Sequence, residues 1–131
     1  MNIGKNKVNL SGRRPTWAEI NLEALRFNLN SITSHLPAGV KMMAVVKADA
    51  YGHGVFETTR ILSELNCNGY CVATGFEMLN LLDYGLSEPI LHLGKVNSDI
   101  IKKLSLFSNT IFTINHPDDI SIITASLPKG S

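Results

Sequence analysis

Ala44 to Gly54 reads AVVKADAYGHG. Lys47 stands at the end of an apolar run, Val40 to Val46, broken only by Lys41. Gly52, His53 and Gly54 come soon after, and a segment with helical spacing begins at Val55. The order is strand, lysine, glycine-rich turn, helix. In parallel α/β proteins the working groups stand at the carboxyl ends of strands, in the loops that lead into helices. A charge at the end of a buried strand is costly unless it reaches water or a partner. Lys47 therefore has two readings. It snorkels to solvent, as most strand-terminal lysines do. Or it is an amine used covalently, as a Schiff base to an aldehyde cofactor, and must first lose its proton.

Working outward, the same alternation repeats. Asn21 is placed to cap a helix whose inner face is Leu22, Leu25, Leu29, Ile32 and Leu36, ended by Pro37 and Gly39. After the lysine turn, Val55, Thr59, Leu62 and Leu65 mark the next helix, and Asn66 to Gly69 is a turn by composition. Tyr70 to Ala73 reads as a strand, followed by a helix with the stripe Phe76, Leu79 and Leu82, closed by Gly85. Ile90 to Leu93 is a third strand. Asn97 or Ser98 caps a helix that turns Ile100, Ile101 and Leu104 inward. Thr110 to Ile114 is a fourth strand. Pro117, with Asp118 and Asp119, opens a last helix. Thr16 to Ile20 alternates weakly as a strand, and Pro128 to Ser131 is a loop.

Strands alternating with helices indicate a parallel sheet. Two architectures fit: a small doubly wound sheet, or the first half of a (β/α)8 barrel, which needs ~250 residues when complete. The chain has 131 residues, 44% hydrophobic and 18% charged, which suits a packed domain. A net charge of +1 supplies no basic field for nucleic acid or anionic membrane. No apolar stretch reaches the length of a membrane span. The start, MNIGKNKVNLSGRR, lacks the apolar core of a signal peptide, so residues 1–13 are expected to be a flexible arm and the location cytoplasmic. Cys67 and Cys71 form no recognisable metal or redox set; both are expected to be reduced, and Cys71, in the apolar run Tyr70 to Ala73, to be core.

KADAYGHG, Lys47 to Gly54, resembles the pyridoxal-phosphate (PLP) lysine motif of bacterial alanine racemases. RPTWAEINLEALRFN at Arg14 to Asn28 is similar to that family's opening segment. Tyr70 to Gly85, YCVATGFEMLNLLDYG, and Pro89 to Gly94, PILHLG, resemble the strands and helix that come next. Asp83 departs from the family, where an arginine is usual, and Thr74-Gly75-Phe76 is a loose match. The match runs from about Arg14 to about Asp119, the first part of the family's length.

The resemblance implies the barrel, with residues 14–131 as its amino-terminal half: a leading helix and about four βα units, without the carboxyl-terminal β domain. It implies interconversion of L-alanine and D-alanine, for peptidoglycan. Lys47 would hold pyridoxal 5'-phosphate and act as a base on one face of the substrate. The hydroxyl of Tyr51 would contact the cofactor phosphate. The opposite face would be served by a tyrosine from the partner subunit of a homodimer, and the remaining cofactor contacts of the family fall beyond Ser131. A half barrel leaves two open strand edges and an inner face in water. The 131-residue chain alone is therefore expected to be marginal in stability or self-associated, and inactive.

Without the resemblance, Tyr51 is a packed loop tyrosine, and His53 caps the helix, lines the site or, as its flanking glycines favour, serves loop geometry. Trp17, Glu19 and Asp49 read as structural, Glu77 as solvated, and His92 as a satisfied core histidine. Three other readings remain open. The chain is a sister racemase for serine or another amino acid, a non-catalytic remnant, or a PLP-binding fragment without turnover. PLP-homeostasis proteins of the same barrel type fit less well, because their lysine lacks the AYGHG continuation.

Overall fold

The computed structural model describes residues 18–95 and 97–127. The arm over 1–13, Trp17 and the loop Pro128 to Ser131 lie outside the described residues. Of the weak strand read over Thr16 to Ile20, residues 18–20 are described and are not in a strand.

The described elements are α1 (Leu22–Ser34), β1 (Ala44–Val45), α2 (Lys47–Gly52), α3 (Val55–Glu64), β2 (Tyr70–Val72), α4 (Gly75–Asp83), β3 (Ile90–His92), α5 (Ser98–Leu104), β4 (Thr110–Phe112) and α6 (Pro117–Ser126). The four strands form one parallel sheet in the order β1-β2-β3-β4. A doubly wound sheet reverses its strand order at a switch point. Here space follows sequence without a reversal, which is the winding of a barrel. The fold is the first four βα units of a (β/α)8 barrel with a leading helix.

Capping sets the helix starts. Asn21 accepts from the Ala24 amide at 3.0 Å, and Asn97 accepts from the Asp99 and Ile100 amides at 2.9 and 3.4 Å. Pro117 opens α6 as expected, and the buried Asp119 carboxylate accepts from the Asn115 and His116 amides at 2.8 and 2.9 Å. Gly85 follows the α4 cap at φ 94°, a conformation that favours glycine.

The register sorts the two faces of the sheet. Tyr70 pairs with Ile90, and Val72 with His92, and all four are buried on the helix side. The Tyr70 hydroxyl donates to the Thr59 carbonyl at 3.0 Å and shares a 2.7 Å hydrogen bond with Ser63, tying β2 to α3. Burial pushes its phenol up to about 12. The opposite row is Val45, Cys71, Leu91 and Ile111. Val45 and Ile111 on that row are 45% and 44% exposed. β1 and β4 are open edges. The exposed inner face is thus where the half-barrel reading puts it. Cys71 is buried and free, as expected of a core residue, and Cys67 in the turn before β2 is buried and free as well.

Two expectations need correction. The strand read over Val40 to Val46 ladders only at Ala44–Val45. Asn68 intercepts it: its side chain accepts from the Met42 amide at 2.8 Å, and its own amide donates to the Met42 carbonyl at 2.9 Å. The second correction concerns α4, whose expected stripe holds at Leu79 and Leu82 but not at Phe76. Phe76 is 69% exposed, whereas Met78, Leu81 and Leu82 are buried. The reason is Gly75, an inward position with no side chain to announce it. An added Cβ there would lie 2.2 Å from Ile100 Cγ2 of α5. Gly75→Ala is therefore expected to cost about 1–3 kcal/mol by overpacking. In urea unfolding the midpoint should fall with the slope unchanged; an unshifted midpoint would show that α4 and α5 separate freely.

Candidate active site

Lys47 is half-buried directly after β1, at the carboxyl end of the sheet. The chain then makes a left-handed helical turn. Ala48, Asp49, Ala50 and Tyr51 have φ of 52°, 55°, 52° and 55°, with ψ from 38° to 50°. L-residues enter this region at roughly 1–2 kcal/mol each, and usually singly. Set against a net domain stability of ~5–15 kcal/mol, four in a row need strong local support. No β-branched residue occurs in the run, and Gly52 and Gly54 extend the positive φ at 82° and 85°.

The support is visible. The Ala50 amide donates to the Val46 carbonyl at 2.9 Å, and the Gly54 amide to the Asp49 carbonyl at 3.1 Å. Asp49 Oδ1 accepts from the Val55 amide at 2.7 Å, so it caps α3 where Gly54 has no side chain to do so. His53 Nδ1, protonated, donates to the Ala50 carbonyl at 2.9 Å. Asp49 and His53 both serve loop geometry, as expected. Glu77 departs from its expected place in solvent. It is half-buried and accepts from three backbone amides: Ala48 at 2.8 Å through Oε1, and Ala73 and Thr74 at 2.8 and 2.9 Å through Oε2. Burial alone would raise its pKa, but these hydrogen bonds outweigh burial and hold the carboxyl below its ordinary value. The signal Thr74-x-x-Glu77 is a capping box legible in sequence, and the structure forms it. The second reach, to Ala48 on another loop, has no local signal.

One left-handed turn brings Tyr51 back beside Lys47. The Nζ lies 6.0 Å from the ring centroid, at the limit of a cation–π contact, and Tyr51 is 61% exposed. The two predicted site residues are thus together, with the phenol free toward solvent. A neighbouring apolar groove of about 310 Å³, lined by Leu25, Leu29, Ile32, Val46 and Leu62, lies between α1 and β1; Tyr51 borders it and Lys47 does not. Glu19 is exposed and borders a separate, smaller hollow. No cluster of metal-ligating side chains occurs among the described residues, and no helix of theirs is long and apolar enough to cross a membrane.

Residues 20–130 match the family described as alanine racemase, N-terminal domain. The chain belongs to that family. A curated alanine racemase from Halothermothrix orenii is 49% identical over 83 residues, 63% of this chain and 22% of that protein. One from Streptococcus pyogenes is 46% identical over 84 residues, 64% of this chain and 23% of that protein. The solved alanine racemase of Clostridium difficile superposes with a TM-score of 0.79 at 35% identity, over 86% of this chain and 30% of that one. The chain therefore spans under a third of each relative, the amino-terminal barrel portion. In this alanine racemase N-terminal domain, Lys47 and Tyr51 sit at the carboxyl end of the first barrel strand.

His92 of β3 is core, as expected, but not satisfied. It is 3% exposed, its ring lies 6.1 Å from that of Phe112, and its Nδ1 has no partner among the described residues. Burial lowers its pKa, with the nearby charge of Glu77 opposing. A histidine held neutral by the fold adds stability above its unfolded pKa, and that stability is lost as pH falls from there through the folded value. Stability should therefore start to fall near pH 6.5, the ordinary imidazole value, and continue to fall below it. Glu77, with its carboxyl pKa lowered, adds a further loss at more acid pH. His92→Leu is expected to remove the first part of this decline in unfolding measured from pH 8 to 5; an unchanged pH profile would show that His92 is hydrated.

Proposed function

We propose that this chain provides the cofactor-lysine part of a PLP-dependent racemase acting on alanine. One observation carries the reading: a half-buried lysine at the carboxyl end of β1, aimed by an anchored left-handed turn that sets Tyr51 beside it. The residues fit the cofactor. Lys47 offers an amine for its aldehyde, and the exposed Tyr51 phenol offers a donor for its phosphate. When bound, PLP supplies an electron sink that makes the α-proton of an amino acid removable. The Lys47 amine takes or returns that proton on one face.

Inversion needs a second group on the other face. Tyr70 does not serve, because its hydroxyl is engaged with Thr59 and Ser63 on the helix side. Tyr84 lies on the outside, its ring 4.7 Å from that of Phe56. Tyr51 stands on the side of Lys47. Among the described residues no other tyrosine is present, which supports a group supplied by a partner subunit. Residues 14–131 would act as the first half of the PLP-binding barrel, in a cytoplasm that keeps Cys67 and Cys71 reduced.

The test is cofactor capture. PLP added to the purified chain, followed by borohydride and peptide mapping, is expected to give one stoichiometric adduct on Lys47 that Lys47→Ala abolishes. Labelling spread over surface lysines, or none, would leave the non-catalytic reading in its place.

A further inference from the structure

We infer that Glu77 is a positioning residue for Lys47, locking the lysine turn to the next βα loop. The inference rests on Lys47 being the working amine. Glu77 belongs to α4, and its Oε2 completes the cap of that helix with Ala73 and Thr74. Its Oε1 leaves the helix and accepts the Ala48 amide at 2.8 Å, 29 residues away in sequence. That amide belongs to the peptide plane joining Lys47 to Ala48. A peptide unit is planar, so fixing its N–H fixes ψ of Lys47 and with it the base from which the side chain projects. Ala48 is also the first residue of the left-handed run. A charged acceptor there both orients the lysine and holds the strained turn closed. Asp49 and His53 brace the far end of the turn, and among the described residues Glu77 alone ties its start to a second strand–helix loop.

The two oxygens make the positioning role separable from the cap. A glutamine serves a capping box as well as a glutamate. In Glu77→Gln the single carbonyl oxygen satisfies the cap, and the amide NH2 then faces the Ala48 N–H, donor against donor. Thr74→Ala does the converse: it removes the hydroxyl that accepts from the Glu77 amide at 3.2 Å and leaves the Ala48 bond in place.

The experiment compares both variants with the unsubstituted chain by hydrogen exchange at the Ala48 amide and by trace acetylation of Lys47 relative to Lys102 and Lys103. PLP–borohydride labelling runs in parallel. For Glu77→Gln, exchange at Ala48 should speed up about tenfold, the factor carried by one charge-assisted hydrogen bond. The Lys47 labelling ratio should change, and the thermal midpoint should fall modestly, because the fold favours the ionised Glu77 carboxylate and the variant carries no charge. For Thr74→Ala, the midpoint should fall while Ala48 exchange and the Lys47 ratio stay within about twofold. Equal effects of the two variants, or none from Glu77→Gln, would overturn the inference. If Glu77→Gln does not fold, acidifying the unsubstituted chain replaces it: Ala48 exchange must speed up relative to the Tyr70 amide as Glu77 gains its proton, and a constant ratio overturns the inference. Failure of PLP capture with these responses intact would reject the cofactor reading and leave the positioning role standing.

Discussion

One carboxylate holds together the part of this molecule on which its chemistry depends. A left-handed run from Ala48 to Tyr51 is unfavourable on its own, and it begins three positions after the end of a strand only two residues long. Glu77 makes it stand by collecting amides from two βα loops at once. The cost of half-burying the carboxylate is met by those donors, which is why its net shift is toward the ionised form. The helix after the second strand is thereby tied to the start of the turn that follows Lys47.

The sheet supports this arrangement unevenly. On the helix side the centre of the sheet is packed: Tyr70, Val72 and Ile90 are buried, and the Tyr70 hydroxyl is tied to α3. On the other side, Val45 and Ile111 face water. Burying each such side chain is worth ~1.5–3 kcal/mol, so this face is a reservoir of stability not drawn on within the chain. The site stands where the two regimes meet, with Val46 buried immediately before Lys47 and Tyr51 exposed after it. His92 adds a second unsettled element. A histidine with an unpartnered ring nitrogen in the helix-side core links folding to proton concentration at the strand end next to Glu77.

Much of this is legible in the residues. The alternation of apolar runs with helical stripes is a period effect, so element order, the parallel sheet and the caps at Asn21, Asn97 and Pro117 follow from local pattern. KADAYGHG marks Lys47 and Tyr51 as a pair. Gly75 shows where pattern reading fails: an inward position occupied by no side chain leaves no hydrophobic mark, and the pattern turns Phe76 inward beside Leu79 and Leu82 although it faces solvent. The Val40 to Val46 strand fails for a related reason. Its apolar content is right, but ladder bonds need a partner, and Asn68 takes the place of one at Met42.

The sequence by itself named Lys47 and Tyr51 as candidate site residues, because the motif KADAYGHG that carries the resemblance is written within eight consecutive positions. Only the tertiary structure decided how the lysine is held. The turn after Lys47 is tied at its start by a donor–acceptor pair, Ala48 and Glu77, that lie far apart in the chain and meet only when β1 and β2 are side by side. The choice between a doubly wound sheet and a barrel was likewise settled by strand order, which is a property of packing. Local pattern reports what each segment prefers, whereas long-range hydrogen bonds exist only once the segments are assembled.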